Sequence, residues 1–196
     1  GSMYEPRDQA LGVLYALQGA GLQEKAHGAT TANGLAWSPD GRTLYWSDTP
    51  SHAVRAWTFD PDTAELSNER TFHQFPLKPA GWAWSEADAR LPQAESRYGG
   101  RPDGAAVDSE GAYWSAQYEG KRLVRLSPKG DVLAVLETPV QCPTMPCFGG
   151  EDLKTLLVTT SRQGRSAAEL AMFPQSGCLF AIRVEVAGLP VNFFQV

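Results

Sequence analysis

A nine-residue string occurs twice in this chain, and that repetition limits what the chain can fold into. Asn33-Gly34-Leu35-Ala36-Trp37-Ser38-Pro39-Asp40-Gly41 returns in weaker form as Asp103-Gly104-Ala105-Ala106-Val107-Asp108-Ser109-Glu110-Gly111. Each copy places an oxygen-bearing residue before a glycine, then a short apolar run that reads as a buried strand, then a turn closed by glycine. A recurring β unit of this kind marks a rotationally repeated fold, in which Asn33 and Asp103 occupy equivalent places. Two oxygen ligands presented by equivalent strand ends toward a common axis suit a hard cation such as Ca²⁺.

The first complete unit predicts strands over 34–37, 43–47, 53–59 and 69–75. Ser-Pro-Asp-Gly at 38–41, Thr-Pro-Ser-His at 49–52 and Asp-Pro-Asp-Thr at 60–63 separate them. Proline at the second turn position presets φ and a closing glycine relaxes the exit, so these turns have a mechanism. Four short antiparallel strands make one propeller blade. A second unit begins at Asp103, with strands over 113–116, 122–127 and 132–137 and Ser127-Pro128-Lys129-Gly130 as its hairpin. A third starts near Thr144, continues over 155–160 and ends over 178–184, where Phe180, Ile182 and Val184 share a face. A short helical turn fits between Ser166 and Phe173. Residues 11–17, with a second strand ending near His27, supply half a unit. The chain thus reads as a single all-β domain: a partial blade at 1–30, blades at 31–77, 101–140 and 141–188, an insertion at 78–100 and a tail at 189–196.

About three and a half blades of roughly 40 to 60 residues fall short of the usual four to eight. An open arc leaves blade faces bare, which implies a missing neighbour. The chain is therefore expected to be the carboxyl-terminal portion of a larger propeller, or to complete itself with another chain. Gly1-Ser2-Met3 reads either as a leftover of expression or as native sequence cut from something longer.

Composition narrows the partners. With 196 residues, 42% of them hydrophobic and 20% charged, there is enough apolar material for one sizeable core. Seventeen basic against 22 acidic residues give a net charge of −5 without a Lys/Arg cluster, which argues against nucleic acid as partner. No apolar run reaches the roughly 20 residues of a membrane span and no signal segment opens the chain, so the expectation is a soluble, cytoplasmic protein without a membrane partner. Cys142, Cys147 and Cys178 do not look like a disulfide framework and are expected to be buried, inert thiols. His27, His52 and His73 fall in or near turns and outer strands, and read as ordinary surface or satisfied histidines.

Five strings together closely resemble the gluconolactonase and regucalcin (senescence marker protein) family. They are the first copy of the repeat, Leu44-Tyr45-Trp46-Ser47-Asp48, Arg101-Pro102-Asp103-Gly104, Pro143-Thr144-Met145-Pro146-Cys147-Phe148-Gly149-Gly150 and Val158-Thr159-Thr160-Ser161-Arg162. The resemblance implies a six-bladed propeller with one divalent metal at the mouth of its central channel, and hydrolysis of a sugar lactone as the activity. It places Asn33 and Asp103 on two metal ligands and Asp103 also on the catalytic base. It implies Ca²⁺ first, with Zn²⁺, Mn²⁺ or Mg²⁺ as alternatives. Gly1-Ser2-Met3 then matches a string from the middle of family members, which favours native sequence. The family's third ligand, a glutamate, and its substrate-gripping Arg and Asn precede this chain's first residue, so a separate amino-terminal fragment or chain is a candidate partner.

If each inner strand leaves the metal end, the loops between second and third strands and those between blades lie at the mouth. Asp48 sits there, either hydrogen-bonding the turn at 49–51 or supporting the metal from behind. Met3 and Glu5 are candidate substrate contacts. The long connection from Phe75 to Gly100, carrying Trp82, Trp84 and Tyr98, is expected to form a partial lid whose aromatic rings pack on the blades. Three other readings stay open: a calcium-dependent ester or organophosphate hydrolase, a non-catalytic interaction propeller in which Asn33 and Asp103 only cap strands, and an inactive fragment.

Overall fold

The structure, a computed structural model, describes residues 8–19, 21–92 and 95–192. Strands β1 (Gly12–Gln18) and β2 (Gly21–Ala29) pair as a hairpin. A four-stranded antiparallel sheet follows, with β3 (Ala32–Trp37), β4 (Thr43–Asp48), β5 (Ala53–Phe59) and β6 (Leu66–Gln74) in chain order. The next repeats the pattern with β7 (Arg101–Val107), β8 (Tyr113–Tyr118), β9 (Arg122–Leu126) and β10 (Val132–Glu137). The last has three strands, β11 (Pro143–Gly149), β12 (Thr155–Thr160) and β13 (Phe180–Arg183). Helices are short: α1 (Glu86–Ala89) in the long connection and α2 (Ala167–Met172) between β12 and β13. Serine caps start both, Ser85 Oγ accepting from Asp88 N and Ser166 Oγ from Glu169 N.

The repeated string folds the same way twice. In the first copy Gly41 N donates to Ser38 O and Thr43 N to Ser38 Oγ, while Asp40 accepts from Arg42 N. In the second, Gly111 N donates to Asp108 O, and the Asp108 carboxylate accepts from Glu110 N and Ala112 N. Asp108 is wholly buried, and its other oxygen is held by Trp114 Nε1 and Arg125 Nε. Side chains thus close both turns, in addition to the closing glycine expected from the sequence.

The core lies between sheets rather than within one. Ala36, Tyr45, Val54, Ala56 and Phe72 of the first four-stranded sheet pack against Ala105, Val107, Tyr113, Val124 and Leu126 of the second. Trp114, Ala116 and Leu123 on the second sheet's other face meet Phe148, Leu156 and Val158 of the third. Ala26 and Ala29 of β2 close on Leu44, Trp46 and Trp57. Strand β4 is therefore covered on both faces, Leu44 and Trp46 toward β2, Tyr45 toward the next sheet. Face-to-face sheets whose inner strands β3 and β11 both contact β7 show the radial packing of a propeller.

The connection to β7 is more ordered than the sequence suggested. Tyr98 is buried, its ring edge against Trp82 and its hydroxyl 3.4 Å from His52 Nε2. Lys78 sits over Trp82, and Trp84 packs with Ala89, Val140 and Phe173 beside α2. Among the described residues no helix is long and apolar enough to cross a membrane.

Candidate active site

A cleft of about 540 Å³ opens where the three inner strands begin. The first sheet contributes Thr31, Asn33 and Thr49, and the second Arg101, Asp103 and Tyr118. The third contributes Thr144 and the residues after β12, namely Ser161, Gln163, Gly164 and Arg165. Inner-strand starts and second-to-third-strand loops thus form the mouth, as strand direction requires.

A shared backbone device presents the lining residues. The ladder slips register between Asn33 and Ala36 in β3, between Pro102 and Ala105 in β7, and between Pro143 and Met145 in β11. Such bulges bend an edge strand and re-aim its side chains. The glycines after the two oxygen-bearing residues are needed by their neighbours. A Cβ on Gly34, whose φ is +52°, would collide with Tyr113 Oη and Ser47 Oγ. A Cβ on Gly104 would collide with Met145 Sδ and crowd Thr144 O across β11.

Asn33 and Asp103 are tied together by two hydroxyl relays. Asn33 Nδ2 donates to Thr49 Oγ1 at 2.8 Å, and Thr49 Oγ1 donates to Pro102 O at 2.7 Å. Ser47 Oγ donates to Asp103 O at 3.2 Å. The Asn33 amide donates one N–H to Thr49, and its oxygen accepts no hydrogen bond from the described residues. The Asp103 carboxylate receives no hydrogen bond from any described residue, and burial pushes its pKa up to about 6 although Arg101 opposes the rise. A half-buried carboxylate without a donor among the described residues and an amide lining the same cleft suit a hard cation. Among the described residues no three His, Cys, Asp or Glu side chains gather to hold a metal.

The opposite wall is cationic. Glu119, 4% exposed, takes Lys78 Nζ at 2.9 Å, Arg101 Nη2 at 3.4 Å and Arg165 Nη1 at 3.3 Å. Burial alone would raise its pKa, but the Lys78 hydrogen bond and the surrounding guanidinium charges outweigh it and hold the carboxylate below the ordinary range. Tyr118 lies under both arginines, 5.5 Å from the Arg101 carbon and 5.8 Å from that of Arg165.

Asp48 does not line the cleft; its carboxylate accepts from Thr30 N and Thr31 N, bracing the loop that delivers Asn33, while only its backbone oxygen serves the 49–51 turn, accepting from Ser51 Oγ. Met3 and Glu5 lie outside the described residues. None of the described residues between 76 and 100 lines the cleft; that segment reaches the wall through Lys78 on Glu119. His73 Nδ1 is bonded to Gly130 O and His27 is exposed on β2. Of the cysteines only Cys142 is buried, its thiol pushed up by burial beside Arg165. Cys147 and Cys178 are exposed: Cys147 alternates with buried Phe148 along β11, and Cys178 precedes the edge strand β13.

Sequence reasoning missed Thr144, Arg101 and Arg165. Thr144 stands third after Asn33 and Asp103, and the prolines at 102 and 143 would have aligned it with Asp103.

The profile described as the SMP-30/Gluconolactonase/LRE-like region matches residues 1–162. A 6-deoxy-6-sulfogluconolactonase of Pseudomonas putida is 42% identical over 195 residues, 99% of this chain and 60% of that protein. Regucalcin of Danio rerio is 34% identical over 161 residues, 81% of this chain and 48% of that protein. The chain therefore spans only about half to three fifths of these relatives. Among solved structures, a calcium-binding regucalcin of Agrobacterium tumefaciens superposes with a TM-score of 0.82 at 23% identity, covering 99% of this chain and 59% of the other, which supports the fold. A gluconolactonase of Xanthomonas campestris gives 0.58 at 27% identity over 78% of this chain and 42% of that one.

Proposed function

The chain belongs to the SMP-30/gluconolactonase/LRE-like family, and from that premise we propose that its cleft opens a sugar lactone by cation-assisted hydrolysis with Asp103 as general base. The observation that carries this reading is the Asp103 carboxylate, partly desolvated and without a donor among the described residues, in the same cleft as Asn33. A relative named as a sulfogluconolactonase and a solved structure described as a gluconolactonase support the reaction class.

Asn33 and Asp103 would hold the cation; their oxygen-only donor set suits Ca²⁺ first, with Mg²⁺, Mn²⁺ or Zn²⁺ as alternatives. When bound, the cation supplies Lewis-acid polarisation of the lactone carbonyl and offsets the charge building on its oxygen. The remaining work falls to this chain. Asp103 accepts a proton from the attacking water. The same proton returns to the departing ring oxygen, which leaves as a hydroxyl group while the carbonyl carbon becomes a carboxylic acid. Thr49 and Ser47 keep the two strands in register through this exchange.

Hydrolysis of glucono-δ-lactone, followed by proton release, tests the reading. Asp103→Asn should lower the rate over the spontaneous background by about 10² or more. A rate indifferent to Asp103→Asn would remove Asp103 from the chemistry. Hydrolysis of phenyl acetate or a phosphotriester in place of the lactone would move the assignment to an ester or organophosphate hydrolase.

A further inference from the structure

The geometry points to Arg101 and Arg165 as a subsite for an anionic substituent of the substrate, a phosphate, sulfonate or carboxylate group at a carbon other than the lactone carbonyl. The inference rests on the lactone reading above for the identity of the rest of the substrate. Arg101 comes from β7 and Arg165 from the loop after β12, and both line the cleft that holds Asp103. Their guanidinium groups converge on one carboxylate, Glu119, which also takes Lys78. Glu169, 3.7 Å from Arg165 Nε, is the second carboxylate of the cluster. Three cations facing two carboxylates leave one positive charge on this wall. Asp103, the remaining carboxylate of the cleft, is committed to the chemistry.

Donors are left over as well as charge. Among the described residues, Arg101 Nη1 and Arg165 Nη2 make no hydrogen bond, and neither is among the buried atoms left without a partner, so both keep some exposure on residues that line the cleft. The two Nε atoms, by contrast, are buried without a hydrogen bond among the described residues, Arg165 Nε keeping only its ion pair with Glu169. An ion-pair cluster serving stability alone gains from matched charges and spent donors, because an unspent guanidinium N–H costs desolvation without return. Here the fork of each arginine is fixed on Glu119 from one side and on the Tyr118 ring from another. That leaves its outer edge directed and pre-organised for oxyanion recognition. Glu119 is then a positioning residue that aims both arginines.

Calorimetric titration of the chain with glucose, glucose 6-phosphate and glucose 6-sulfate tests the subsite without requiring turnover, since none of the three is a lactone. The anionic sugars should bind about tenfold more tightly than glucose, a preference that shrinks as ionic strength rises. Arg165→Gln should reduce the preference to about twofold or less, and Arg101→Gln provides a second test where Arg165→Gln melts early. Equal binding of neutral and charged sugars by the unaltered chain, or no binding of any, would overturn the proposal, as would an undiminished preference in folded Arg165→Gln. Inorganic phosphate binding as tightly as glucose 6-phosphate would also overturn it, by showing a bare anion site. A charge preference that persists in a chain inactive on lactones would sustain the subsite while removing the lactone reading.

Discussion

Asp103 carries a cost that the rest of the fold absorbs. Burial raises its folded pKa to about 6 from an ordinary value of 3.8. Between those values the folded state holds more protons than the unfolded one, so this group stabilises the cation-free protein below the ordinary value and loses that contribution as pH rises through about 6. The melting temperature of the unaltered chain relative to Asp103→Asn should therefore fall by a few degrees between about pH 4 and pH 7. A difference that stays flat would mean the carboxylate is not desolvated. Thr49 offers a second residue-scale test, because its hydroxyl both receives the Asn33 amide and donates to Pro102 O. Thr49→Val should cost about 1–2 kcal/mol in urea denaturation and weaken cation binding about tenfold, with Thr49→Ser restoring both. Cation affinity unmoved by Thr49→Val would show that Asn33 needs no such guide. Asn33 and Asp103 were legible in the sequence because each precedes a glycine that its neighbouring strand requires. Thr144 was not, because Met145 follows it where the others have glycine. The Glu119 cluster was invisible for another reason: Arg165 lies 46 residues from Glu119 and only packing joins them.

The inner strand is the working element, and its bulge explains why the pattern read from sequence began two residues late. Strands predicted from 34 and 103 start at Ala32 and Arg101, because the oxygen-bearing residue sits within the strand, at or next to the register slip. Strands β5 and β10 have the predicted limits, whereas the outer strand β6, expected over 69–75, starts at Leu66. The four residues of α1 are too few to show a helical period, and only the Ser85 cap marked them. Two glycines separate packing from backbone strain. Gly34→Ala meets both a left-handed φ of +52° and two oxygen atoms of neighbouring strands. Gly41→Ala meets a φ of +68° with nothing within 4 Å of the new carbon. The first should cost about 3 kcal/mol or more, the second about 1 kcal/mol. Equal costs in urea denaturation would contradict the close approach of β3 to Tyr113 and Ser47.

Across the whole molecule, sheet faces rather than sheet interiors carry the core, so each blade is stabilised by the next. That arrangement was readable from repeated strand-and-turn units, since four short strands cannot bury both faces alone. What was not readable was how the blades share one cleft, with oxygen acceptors from the first two sheets and cations from the second and third. The central claim is that Asn33 and Asp103 form a cation-dependent centre for lactone opening. The most direct test strips the protein with a chelator, adds Ca²⁺ stepwise and follows glucono-δ-lactone opening by proton release. The rate should rise saturably with Ca²⁺, fall again on chelation and show neither response in Asp103→Asn. A rate indifferent to cation and chelator, or none above the spontaneous background at any Ca²⁺ concentration, would contradict the account.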